Sequence, residues 1–103
     1  MMAFTHLLTR REGAVEHLTL NRPDVRNAFN EEMVAGLSDW AMSRHADLTV
    51  RAAVLRGAGP AFSAGGDLAW MARTVAYTRE RNLVDAEALA RMYSLLDTLP
   101  FAL

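Results

Sequence analysis

The sequence predicts an α/β domain with parallel strand pairing, and three observations carry that expectation. Two short segments near the N-terminus alternate in the manner of strands around one glycine. A compact apolar run over residues 50–55 (VRAAVL) is interrupted only by Arg51, the pattern of a strand buried on both faces in a parallel sheet. A glycine-rich loop follows that run and leads directly into helical periodicity, the strand–loop–helix order of α/β proteins.

In chain order, residues 4–11 (FTHLLTRR) and 14–20 (AVEHLTL) read as strands joined by a tight turn at Glu12-Gly13. NRPDVRN is dense in turn formers, and Pro23 offers no ladder donor. A helix then begins at Asn30, a good N-cap, with Glu31 and Glu32 at the positive end of the helix dipole and Phe29 and Val34 spaced for a hydrophobic staple. Met33, Leu37, Trp40 and Ala41 share one helical face, which makes Trp40 a core anchor. After the glycine loop a short helix starts at Asp67, and a longer one runs from about Glu80 to Thr98. Leu89, Met92, Tyr93, Leu96 and Leu99 form the apolar stripe of the longer helix, and Pro100 ends it. The apolar PFAL that follows reads as the start of another buried strand, and so as a cut in a longer domain.

Composition narrows the function. The chain has 103 residues, the size of one domain at most, of which 51% are hydrophobic and 22% charged, a globular balance. A net charge of −1 is not the footprint of a nucleic-acid binder. No apolar run has the length of a bilayer span, and the N-terminal residues lack the pattern of a signal peptide. The absence of cysteine excludes disulfides and thiol chemistry and fits a cytoplasmic location. His6, His17 and His45 have no ligand spacing, so no metal site is expected.

The loop GPAFSAGGDLAWM (59–71) holds three of the six glycines and is the segment to explain. It has no GxxxxGK[ST] for phosphate, has Phe62 where a dinucleotide fingerprint needs its last glycine, and has Ala61 where a nucleophile elbow needs its first. Ser63 accordingly reads as a small turn residue rather than a nucleophile. A backbone device remains: Gly65-Gly66-Asp67 closes a loop and opens a helix, where outward N–H groups can hold a developing oxyanion. A plain strand-to-helix turn capped by Asp67 has the same local sequence, and loop chemistry alone does not choose between them.

LTLNRPDVRNAFNEEM (18–33) and VRAAVLRGAGPAFSAGGDLAWM (50–71) together resemble the enoyl-CoA hydratase/isomerase, or crotonase, superfamily, which pairs a TLNRP…RNA motif with an FSAG[AG]D motif at about this separation. The resemblance runs from about Val15 to Leu99, and from DLAWM onward it looks most like the branch of methylglutaconyl-CoA hydratase-type enzymes. It implies the crotonase (ClpP/crotonase) ββα spiral, here the incomplete N-terminal part of a single domain spanning residues 1–103.

The same resemblance implies roles. Gly66 matches the position whose backbone N–H forms half of the oxyanion hole for the coenzyme A thioester carbonyl. Arg26 and Ala28 match positions that help hold the coenzyme A moiety, and Ala64, Gly65, Asp67 and Leu68 match the loop that cradles its adenine end and the thioester. Met71 and Trp70 fall where the family lines the acyl pocket, though Trp70 reads more as packing than as ligand contact. No cofactor is implied, because coenzyme A belongs to the substrate, and the implied assembly is a homotrimer or hexamer. The family's second oxyanion donor and its catalytic carboxylates fall beyond residue 103, so neither Glu80 nor Glu87 is given a role. The implied reaction is hydration of a 2,3-enoyl-CoA through a thioester enolate; an isomerase, another enolate-forming acyl-CoA enzyme, or a non-catalytic binding or assembly module are the alternatives.

Overall fold

The computed structural model describes residues 4–103. Strands β1 (Leu7–Glu12) and β2 (Val15–Leu20) form an antiparallel hairpin in register from Leu7 opposite Leu20 to Glu12 opposite Val15, so the turn residues are Gly13 and Ala14, one position later than expected. After a single turn of 3-10 helix over Pro23–Val25 comes α1 (Glu31–His45), then β3 (Ala52–Gly57), which pairs parallel to β2. Helices α2 (Leu68–Thr74) and α3 (Arg79–Asp97) complete the chain, and the sheet order is β1-β2-β3. No helix among the described residues is long and apolar enough to cross a membrane.

All three helices begin on side-chain caps. Asn30 Oδ1 accepts from Met33 N at 2.9 Å, as its position before the acidic first turn led us to expect. Asp67 caps α2 through Trp70 N, and Thr78 caps α3 through Arg81 N.

The core lies between the central strand and α1. Alternation along β2 sends Glu16, Leu18 and Leu20 to one face, all buried, where α1 covers them with Met33, Val34, Leu37, Trp40 and Ala41. Helix α3 packs onto α1 through Met92, which is fully buried, with Leu89, Leu95 and Leu96 partly so and Leu99, just past the helix, beside them. Tyr93, expected in that stripe, is 58% exposed.

One carboxylate enters this core. Glu16 accepts from Trp40 Nε1 at 2.8 Å and pairs with the Arg44 guanidinium in a fork, at 2.6 Å (Nε–Oε1) and 2.9 Å (Nη2–Oε2). Arg44 also stacks over the Phe4 ring, which covers the pair.

Strand β3 corrects one expectation. It pairs parallel as predicted, but it is not buried on both faces: Ala53 is its one buried residue and Val54 is 40% exposed. Among the described residues the helices cover a single face of the sheet, so the Val54 face of β3 has no covering layer. Beyond Pro100, Ala102 makes a parallel bridge to Ala52 of β3 and accepts from Ala53 N at 2.9 Å, while Phe101 meets Trp40 edge to face. The PFAL segment therefore pairs as a strand does, though Leu103 stays half exposed.

Candidate functional site

The site begins with a knot at the end of the first motif. Arg26 and Asn27 both adopt left-handed backbone conformations, φ 52° and 56°, which swing Ala28 and Phe29 away from the 3-10 turn. Two non-glycine residues hold this geometry because the Asn27 side chain is fully buried and saturated. Its Oδ1 accepts from Arg22 N at 2.8 Å, and its Nδ2 donates to the carbonyls of Ala58 and Ala61 at 2.8 and 2.9 Å. Asn27 thus ties the first motif to the glycine loop 31 and 34 residues away.

Asn27→Ala strands two carbonyls and one N–H and removes a residue tolerant of the left-handed region. The expected loss is about 3 kcal/mol of stability by urea unfolding. A loss under about 1 kcal/mol contradicts the knot.

Around that knot the two motifs lie side by side. Ala64 N donates to Arg26 O at 2.9 Å, Phe29 N to Gly65 O at 2.7 Å, and Asp67 N to Phe29 O at 2.8 Å, which makes Phe29 and Gly66 a parallel bridge. In such a bridge one residue supplies both hydrogen bonds, here Phe29, so the N–H and C=O of Gly66 face the other way. The Gly66 N–H has no acceptor among the described residues.

Its neighbours are fully committed. Gly65, at φ +88°, donates to Ser63 Oγ at 3.0 Å and accepts from Phe29. Ser63 Oγ in turn donates to Asn27 O at 2.9 Å, the turn role expected of it.

Asp67 is a structural carboxylate. Its Oδ1 accepts from Trp70 N at 3.0 Å and its Oδ2 from Arg22 Nη2 at 3.1 Å. The Trp70 N–H, aided by Arg22 and opposed by burial, holds the Asp67 carboxyl below its ordinary range, so it stays an ionised acceptor. The cap also corrects the origin of the free donor. The first turn of α2 is served by Asp67, and the open N–H belongs to Gly66 through the bridge rather than through the helix end.

Two clefts meet at Gly66. One, of about 630 Å³, is lined by Arg22, Arg26, Ala28, Ala64, Asp67 and Leu68 among others. The other, of about 410 Å³, runs between the loop, α1 and α3, with walls that include Phe29, Leu55, Phe62, Trp70 and Leu89 and with Ser63 and Tyr93 as its side-chain hydroxyls. Gly66 lines both.

Of the residues singled out from sequence, Arg26, Ala28, Ala64, Asp67 and Leu68 thus share the first cleft, and Gly65 lies on the second. Met71 sits over Gly66, its sulfur 3.3 Å from where a Cβ would stand. Trp70 walls the apolar cleft as well as packing against the core. Arg22, Phe62 and Tyr93 were not singled out. Arg22 lies inside a turn-forming run, and its partner Asp67 is 45 residues distant, beyond any local signal.

A chain whose free backbone donor stands where these two clefts meet has clear relatives. It is 46% identical over 68 residues to 1,2-epoxyphenylacetyl-CoA isomerase of Escherichia coli, covering 66% of this chain and 25% of that protein. It is 33% identical over 102 residues to trans-2-decenoyl-acyl-carrier-protein isomerase of Streptococcus mutans, covering 99% and 36%. The crystal structure of an enoyl-CoA hydratase from Shewanella pealeana superposes with a TM-score of 0.90 at 34% identity, over 95% of this chain and 37% of that one. The chain spans roughly a third of the length of such relatives. This likeness bears out the crotonase-type α/β fold, of which the chain holds a part. With the model of the enoyl-CoA hydratase/isomerase family matching residues 15–100, the chain belongs to that family.

Proposed function

We propose that these residues form the thioester-holding part of an enzyme that acts on acyl-CoA, and that the reaction is hydration of a 2,3-enoyl-CoA. The observation that carries the reading is the Gly66 N–H, unpaired where the two clefts meet. A thioester carbonyl placed there accepts from Gly66, with the acyl chain in the apolar cleft and the coenzyme A arm along Arg22, Arg26 and the 64–68 backbone. As the enolate forms, negative charge grows on that oxygen, and a fixed donor lowers the barrier by the equivalent of roughly 10²–10³ in rate. Coenzyme A is part of the substrate, and no separate cofactor is proposed. Proton transfer is assigned, on the family resemblance, to carboxylates outside residues 1–103.

Isomerisation through the same enolate is the second reading, favoured by the two relatives that carry isomerase names. A shared oxyanion donor serves both reactions. A cytoplasmic location and a homotrimer or hexamer belong to the same proposal.

The test is a titration of acetoacetyl-CoA into ¹⁵N-labelled protein. Amide shifts are expected to concentrate at residues 64–68 and along the apolar cleft. Saturable binding that leaves this loop unperturbed contradicts the assignment.

A further inference from the structure

Gly65 is the loosest link in the loop that presents the Gly66 N–H. A Cβ placed on it would meet nothing within 4 Å, and its φ of +88° lies where glycine moves freely, so packing does not fix it. Yet Gly65 decides where the donor points. The trans peptide joining it to Gly66 carries the Gly65 carbonyl on one side and the Gly66 N–H on the other, aimed in opposite directions. Phe29 N holds that carbonyl at 2.7 Å, which fixes the plane after Gly65.

The plane before Gly65 is held by one side chain among the described residues. Ser63 Oγ accepts from Gly65 N at 3.0 Å and donates its own proton to Asn27 O at 2.9 Å, 36 residues back in the chain. The hydroxyl therefore relays a hydrogen bond from the loop to the buried Asn27 knot, and a hydroxyl that is donating is the stronger acceptor for it. Its hydrogen is committed to Asn27 O, so Ser63 has no proton to give a ligand. Whatever it does at the site, it does through Gly65.

Resting on the acyl-CoA reading above, we propose that Ser63 is a positioning residue whose hydroxyl, with Phe29 N, locks the peptide planes on both sides of Gly65 and so sets the direction of the Gly66 N–H. A turn that asks only for a small residue is served equally by alanine; the hydroxyl is the part that size does not explain. Hydrogen bonds weaken steeply as they bend, so freedom at Gly65 loosens the grip on a carbonyl without closing either cleft. A donor fixed in advance is also what a developing enolate oxygen needs, since no reorganisation is then left for the reaction itself.

The test uses infrared difference spectroscopy of acetoacetyl-CoA labelled with ¹³C at the thioester carbonyl, saturating the parent protein, Ser63→Ala and Ser63→Cys, with folding followed by circular dichroism. In the parent complex the labelled stretch is expected below its frequency in donor-free solvent. In Ser63→Ala it is expected to return at least about a third of the way to that frequency, the mark of a bent and less polarised bond. Ser63→Cys, which keeps the volume but gives and accepts hydrogen bonds more weakly, shifts the same way by less and carries the test should the alanine variant not fold. A hydroxyl that only stabilises the turn leaves the frequency of a saturated, folded complex where it was. Folded Ser63 variants that share the parent's frequency therefore overturn the positioning role and leave the acyl-CoA reading intact. A parent complex whose carbonyl keeps its donor-free frequency overturns that reading and the inference with it.

Discussion

In an active full-length enzyme that carries these residues together with the carboxylates outside them, Gly66→Pro is expected to lower turnover of an enoyl-CoA by at least about 10²-fold, the loss associated with one oxyanion donor, whereas Gly66→Ala keeps most of the activity. The contrast isolates a backbone group from a side chain. Proline removes the N–H that points into the clefts, and that N–H makes no hydrogen bond among the described residues, so no ladder bond is lost with it. Alanine retains the donor: Gly66 lies outside the left-handed region, and its Cβ would meet only the flexible end of Met71, at 3.3 Å. Proline also restricts Gly65, which sits at φ +88°, so circular dichroism and binding of free coenzyme A must match the parent. A folded Gly66→Pro protein that turns over substrate near the parent rate makes the glycine pair a turn and nothing more.

The largest stability effect is expected at Glu16. Glu16→Ala leaves the Trp40 indole N–H unpaired at a fully buried site and the Arg44 guanidinium without its fork, a loss of about 3 kcal/mol or more in a urea melt. Burial by itself would raise the Glu16 carboxyl, but the hydrogen bonds from Arg44 and Trp40 and the Arg44 charge outweigh it and hold it below its ordinary 4.5. The sign for stability follows. A carboxyl whose pKa is lowered by folding stabilises the fold above its unfolded value, and that contribution drains away as the pH falls through the folded value. The parent is therefore expected to lose stability below about pH 4.5, and Glu16→Gln, which keeps an acceptor for Trp40 but cannot titrate, to show a flatter acid limb. A Glu16→Gln protein with the parent's acid slope places the titrating group elsewhere.

Local chemistry was legible in the sequence wherever one stretch of chain settles it. The caps at Asn30 and Asp67, the 3.6-residue stripe of α1 and the β1–β2 hairpin each depend on residues within a few positions of one another. Parallel pairing of β3 also followed from its apolar run, but which of its faces a helix covers did not, because that run says nothing about where the helices pack. Tyr93 shows the limit of periodicity: it sits at stripe spacing in α3, yet it faces a cleft instead of the core.

In the site, the motif pair marked the right loop, but the physics that builds it is long-range. The Asn27 amide reaches carbonyls more than 30 residues away, and Arg22 finds Asp67 across 45. The open donor at Gly66 exists because Phe29 takes both bonds of the bridge, a fact that no window of sequence contains. Trp70 read as packing because a tryptophan beside an apolar stripe usually is; that it also walls the apolar cleft needs the loop, α1 and α3 in place.

The central claim is that the Gly66 N–H donates to a thioester carbonyl. Infrared difference spectroscopy of acetoacetyl-CoA labelled with ¹³C at the thioester carbonyl reads that bond directly. On saturating the protein, the labelled stretch is expected to move to lower frequency, as a polarised carbonyl does, and to return most of the way in folded Gly66→Pro protein that still binds. A labelled carbonyl whose frequency in the parent complex equals that in water-free, donor-free solvent, or whose shift survives unchanged in Gly66→Pro, contradicts the claim.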